Sequence, residues 1–249
     1  MRGVLKSNKV GMNQDFEYRG EAQTRIETLS DGVFALAVAL LVLSSSVPER
    51  FDELLISLQD LFPFAVCITL LMLVWYEHYL FFIRYGLQDS RTVALNALLL
   101  FLILFYVYPL KFLFKVLYKL FYAVFTQDQE MANELFTVTL KPEDGPSLMI
   151  IYGIGAALIF FVLALMYSYA LKKSNDLELT DKEIFDTKSS LYNNIIMGGI
   201  PVVSLLIAVF QIGGRNAFTL SGMSYMTYAL AMPTYHFLRK KKRRKRFGG

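Results

Sequence analysis

The chain has 249 residues, of which 55% are hydrophobic and 15% aromatic, with a formal charge of +4 and a mean hydropathy of +0.43. An apolar share above the ~45–50% of soluble domains points to a single membrane domain. The one cysteine, Cys67, lies inside an apolar run, which excludes a disulfide framework and a Cys/His zinc site.

Residues 1–24 form a polar N-terminal segment without the apolar stretch of a cleaved signal peptide, so the first span is expected to act as the insertion signal. A hydrocarbon core of ~30 Å needs roughly 20 helical residues at 1.5 Å each. Apolar runs at 26–47, 54–83, 92–125, 147–172, 191–211 and 216–238 meet that need. They predict an all-α integral membrane protein with six transmembrane helices over 25–238, followed by a polybasic tail at 239–249. The second and third runs are longer than required, and Tyr106, Tyr108, Tyr118 and Tyr122 fit an interfacial aromatic belt.

Six spans put both termini on one side. The basic residues of the N-terminal segment, Arg84, Arg91, the lysines between the fourth and fifth spans and the tail share that side. Arg50, Lys111, Lys115, Lys119, Lys141 and Arg215 lie opposite. The positive-inside rule therefore predicts cytoplasmic termini in a cell inner membrane or plasma membrane. Lys111, Lys115 and Lys119 recur every four residues and read as a solvated helix face outside. The run RKKKRRKR, from Arg239 to Arg246, directly follows an apolar helix. That position suits a topology anchor facing anionic lipid headgroups rather than nucleic acid. The inner stretch LKKSNDLELTDKEIFDTK, 171–188, mixes both charge signs and reads as a solvated linker.

Within the first span, Arg25, Ser30 and Asp31 enter the membrane together with the apolar run, and ionisable groups at that depth need partners or a function. At 100° per residue, Gly32, Leu36, Ala39, Leu40 and Leu43 fall close to one line through Arg25, with Ser30 and Asp31 well off it. Such an aliphatic stripe is by default a lipid-facing or packing surface; spacing alone does not make it a pore. Trp75 and His78 share a face of the second span, and Asn96 starts the third at a similar level. Arg25, Ser30, Asp31, Trp75, His78 and Asn96 are expected to form a structural polar network at the cytoplasmic membrane boundary. Asp31, Glu77 and His78 could alternatively serve a secondary or proton-coupled transporter.

These residues also resemble a known family, the prokaryotic relatives of the lysosomal potassium channel called transmembrane protein 175. Its first helix reads Arg-x-x-x-Phe-Ser-Asp followed by Gly-Val-Phe-Ala. Here that is Arg25, Leu29, Ser30, Asp31, Gly32, Val33, Phe34 and Ala35, with leucine in place of phenylalanine. Trp75-x-x-His78 and Asn96, in a leucine-rich third helix ending at Pro109, match too. The resemblance covers about the first 110 residues. It implies a homotetrameric, potassium-permeable leak channel whose first helices surround the ion path. Position relative to Asp31 then places the constriction at Leu36, Leu40 and Leu43, with Ala39 where the family often carries threonine. Modest K⁺ over Na⁺ selectivity follows, lower than in a threonine-bearing relative; a K⁺/Na⁺ permeability ratio unchanged by Ala39→Thr would contradict that expectation.

No TVGYG filter and no arginine-every-third helix occurs, so neither ordinary potassium selectivity nor a voltage sensor is expected. No Walker loop, GxSxG elbow or HExxH motif is present either. No enzyme activity and no cofactor is expected, only K⁺ as the permeant ion.

Overall fold

The computed structural model describes residues 16–20, 22–43, 49–141 and 143–248, and these are helical almost throughout. The helices are α1 (Arg25–Leu43), α2 (Phe51–Gln59), α3 (Leu61–Tyr85), α4 (Ser90–Thr126), α5 (Gln129–Glu134), α6 (Gly145–Lys172), α7 (Asp181–Val209), α8 (Ala217–Ser224) and α9 (Tyr228–Phe247). Of the described helices α1, α3, α4, α6 and α7 are long and apolar enough to cross a membrane. The chain is therefore a multi-pass membrane protein.

Two of the six expected spans take a different form. The run 54–83 is interrupted at Asp60, which separates the short α2 from α3. The run 216–238 is shared between α8, a 3-10 turn at Tyr225–Thr227 and the first half of α9. Periodicity over a long apolar run does not register a single turn at which one helix gives way to the next.

Among the described helices α1 packs on α3 and α4 alone, whereas α6 and α7 form a tight hairpin that carries α8, joins α4 through α6, and joins α3 through α6 and through side-chain hydrogen bonds made by α7. Small residues make those contacts close. A Cβ on Gly153 would come within 3.0 Å of the Pro201 carbonyl oxygen, and one on Gly198 within 2.8 Å of the Phe161 ring. The α4–α6 contact is closer still. The Tyr106 ring lies against Gly155, and its hydroxyl accepts from the Gly155 N–H at 3.0 Å and donates to the Ile151 carbonyl.

The stretch 171–188 is solvated only in its first part. α6 runs to Lys172, and α7 begins at Asp181 behind a reciprocal cap between Thr180 and Glu183. Glu183, Asp186 and Thr187 are buried. Glu183 is compensated by Arg19 at 2.8 Å, and Asp186 by Arg239 at 2.9 Å and Arg243 at 3.3 Å. Glu183 and Asp186 therefore fold inward, because cations far away in sequence reach them, while Lys172, Asp176, Glu178, Asp181 and Lys188 stay exposed.

The lysine stripe of α4 is a solvated face only in part: Lys111 is buried, while Lys115 and Lys119 remain partly exposed in ion pairs. Lys111 donates to the Leu41 carbonyl at 2.7 Å, Lys115 pairs with Asp60 at 2.7 Å, and Lys119 pairs with Glu134 at 3.0 Å. α4 passes the ends of α1, α2 and α5 in turn, and each lysine meets a different one.

Candidate functional site along the first helix

α1 starts behind Thr24, whose backbone N–H donates to Glu27 at 2.7 Å while the Glu27 N–H donates to the Thr24 hydroxyl at 3.2 Å. The Thr-x-x-Glu spacing is the signature of a capping box, and it was available in the sequence though not among the expected site residues. The cap leaves Glu27 buried, with no cationic partner among the described residues.

From there α1 divides into two faces. Ser30, Phe34, Ala37 and Leu41 are buried against α3 and α4. Ala39 is exposed, and Leu36, Leu40 and Leu43 are 49%, 37% and 74% exposed, with Leu29 and Gly32 on the same open side. Arg25, Thr28, Leu29, Gly32, Val33 and Leu36 line a shallow open groove there.

The polar groups sit on the packed side and at its edge. Ser30 donates to the Ile26 carbonyl at 2.8 Å and accepts from the Asn96 amide at 3.0 Å. The Asn96 oxygen lies 2.8 Å from His78 Nε2. Since the Asn96 nitrogen is used toward Ser30, its oxygen accepts, and His78 Nε2 carries the hydrogen. The His78 ring also faces Phe34, with centroids 5.6 Å apart. At the edge, Asp31 accepts from the Trp75 indole at 2.9 Å and from the Gln23 amide at 3.1 Å. α1 is thus held at two successive positions, Ser30 to α4 and Asp31 to α3.

Arg25 stands outside this arrangement, in the open groove. Six residues separate it from Asp31, which at 100° each leaves the two about 120° apart around the helix. Glu77 also lies elsewhere. Its carboxylate accepts from the Tyr167 hydroxyl at 3.3 Å and the Asn194 amide at 3.5 Å, on the α6–α7 side of α3.

A potassium channel of Marivirga tractuosa is 45% identical over 249 residues, covering 98% of both chains. The chain belongs to the TMEM175 family. The family described as endosomal/lysosomal potassium channel TMEM175 matches residues 25–106, the stretch that contains Ser30, Asp31, Trp75, His78 and Asn96. A crystal structure of the potassium channel MtTMEM175, a threonine-to-alanine variant in complex with a nanobody–MBP fusion, superposes with a TM-score of 0.83. It is 44% identical and covers 93% of this chain and 100% of its own. A lysosomal potassium-selective channel TMEM175 homolog from Chamaesiphon minutus superposes at 0.50 with 20% identity, covering 81% of this chain and 95% of its own; it supports the fold alone.

The family stretch ends within α4, before Lys111. Lys111, whose ammonium holds the C-terminal part of the described α1, was not among the expected site residues. No local signal marks it, because its partner is a backbone carbonyl 70 positions away.

Proposed function

We propose that this TMEM175-family chain is a leak-type, potassium-permeable channel, a homotetramer of six-span subunits in which the four copies of α1 surround the ion path. The observation that carries this reading is the division of α1. Ser30 and Asp31 fix its rotation against α4 and α3, which leaves Leu36, Ala39, Leu40 and Leu43 uncovered by the described residues on the opposite side. In that arrangement α8 and the apolar half of α9 together provide the sixth span. Both termini lie in the cytoplasm, and the host membrane is a cell inner membrane or plasma membrane. Residues 25–238 act as the channel domain.

Leucine cannot replace the hydration shell of K⁺. A constriction of Leu36, Leu40 and Leu43 works as a size and dewetting barrier crossed by a partly hydrated ion, with modest K⁺ over Na⁺ selectivity. Ala39 adds no hydroxyl beside it.

The transporter reading would need Asp31, His78 and Glu77 to exchange a proton. Asp31 is bonded to Trp75 and Gln23, His78 to Asn96, and Glu77 to Tyr167 and Asn194, so each is committed to different neighbours. No observation favours that reading over the channel.

The test is ion flux from liposomes under a K⁺ gradient, with and without a proton ionophore, for the wild type and for Leu36→Asn, Leu40→Asn and Leu43→Asn. Rapid passive flux that changes severalfold in the leucine variants is expected. Slow, saturable, proton-coupled flux indifferent to all three leucines would overturn the proposal.

A further inference from the structure

The basic C-terminal run is a continuation of α9, which reaches Phe247, and it is held in place from one side. Arg239 Nη2 donates to Asp186 Oδ1 at 2.9 Å, and Arg243 reaches both oxygens of the same carboxylate at 3.3 and 3.4 Å. Asp186 is only 1% exposed, so these two cations compensate a buried charge. The end of the helix is pinned again where the Phe247 ring meets Phe185, with centroids 5.7 Å apart. At 100° per residue Arg239, Arg243 and Phe247 span about 80° of the helix circumference, and that arc faces α7.

The remaining basic residues of the run occupy the rest of the circumference as three pairs spaced i, i+4. Lys241 and Lys245 point directly away from α7, Lys240 and Arg244 lie on one flank, and Lys242 and Arg246 on the other. All are exposed. Arg246 rests 5.4 Å from the Phe247 ring centroid. No ion pair with a carboxylate of the described residues holds any of the six. A rigid helix therefore presents uncompensated positive charge over more than half its surface.

What precedes this charge decides what it meets. Leu230, Phe237 and Leu238 are exposed apolar side chains on the same helix, and the basic turns begin immediately after them. An apolar outer surface passing within one turn into a cationic one is the pattern of a helix leaving a bilayer. We propose that Lys240, Lys241, Lys242, Arg244, Lys245 and Arg246 form a preorganised docking surface for anionic lipid headgroups, and that Arg239 and Arg243 take no part because Asp186 retains them.

This division of labour separates the proposal from a simple count of charges. The full-length protein in detergent is titrated with phosphatidylglycerol or with phosphatidylcholine, and its thermal unfolding is followed. Phosphatidylglycerol is expected to raise Tm and phosphatidylcholine not to. The increment should fall by half or more at high salt, because the charges are exposed. Replacing Lys240, Lys241, Arg244 and Lys245 with Gln should weaken the apparent affinity for phosphatidylglycerol about tenfold or more. The double variant Lys241→Gln/Lys245→Gln should give an intermediate loss and serves if the quadruple variant does not fold. Arg239→Gln/Arg243→Gln should lower Tm in both lipids and keep the phosphatidylglycerol increment. An increment retained in the Lys241/Lys245 variant, or lost only in the Arg239/Arg243 variant, overturns the assignment. So does a short RNA that raises Tm where phosphatidylglycerol fails. The readout is binding, so it stands apart from whether the protein conducts.

Discussion

Lys111 is a cation with 6% of its surface exposed whose ammonium sits 2.7 Å from the carbonyl oxygen of Leu41. That carbonyl lies two residues before Leu43, the last described residue of α1, so Lys111 ties this end of the described helix to α4. A hydrogen bond from a charged donor is worth about 1–2 kcal/mol, and it fixes the C-terminal part of the described helix that carries the leucine stripe. Lys111→Met should therefore lower Tm by about 2–6 °C in thermal unfolding, while Lys119→Met, whose partner Glu134 is exposed, should change it little. Equal Tm values for the two variants would count against Lys111 as a tie between α1 and α4. The recurrence of lysine every four residues was legible in the sequence and correctly placed the three on one helical face. What that face meets was not legible, because Leu41, Asp60 and Glu134 are brought there by three separate elements.

Helix ends were more readable than they were read. Thr24-x-x-Glu27 and Thr180-x-x-Glu183 both carry the capping spacing, and both are capped in the structure. The second shows why the later part of 171–188 folds inward, since the cap that starts α7 also turns Glu183 toward Arg19. At the start of α4, Asp89 accepts from the Thr92 N–H at 3.2 Å and from its hydroxyl at 2.5 Å. The Tyr169 hydroxyl also donates to it, and Lys173 lies 3.7 Å away. Partial burial pushes the Asp89 carboxyl up, but the bonds from Thr92 and Tyr169 and the Lys173 charge outweigh it and hold the group below the usual aspartate range. A depressed folded-state pKa contributes stability that is present above the unfolded value near 3.8 and disappears as pH falls through the folded value. Lowering the pH from 5 to 3 should therefore cost the wild type more Tm than Asp89→Asn, with the neutral variant, whose amide oxygen still caps α4, less stable at pH 7 by a few tenths to about 1 kcal/mol from the lost charge. Parallel Tm-versus-pH curves for the two proteins would remove Asp89 from that account.

At the scale of the molecule, among the described helices α1 touches α3 and α4 alone, and none of the described residues covers its leucine face. In a bilayer that is not an anomaly, because lipid satisfies leucine as well as protein does. The sequence made the stripe visible by periodicity, but its meaning came from the Arg25-to-Ala35 resemblance, since spacing is the same for a lipid-facing and a pore-facing helix. Disulfide trapping separates the two. The lone cysteine, Cys67, is buried and offers little background. If four copies of α1 surround the axis, Leu36→Cys brings thiols of neighbouring subunits close together, and mild oxidation should give a covalent dimer in high yield. Leu165→Cys on α6, exposed to a similar degree, should stay monomeric when oxidised in the same way. A dimer from position 165 and none from 36 would turn α1 outward to lipid and place the subunit contact on the α6 side. The conduction path would then have to be sought there, and the hydrogen bonds of Ser30 and Asp31 would be left with a purely structural role.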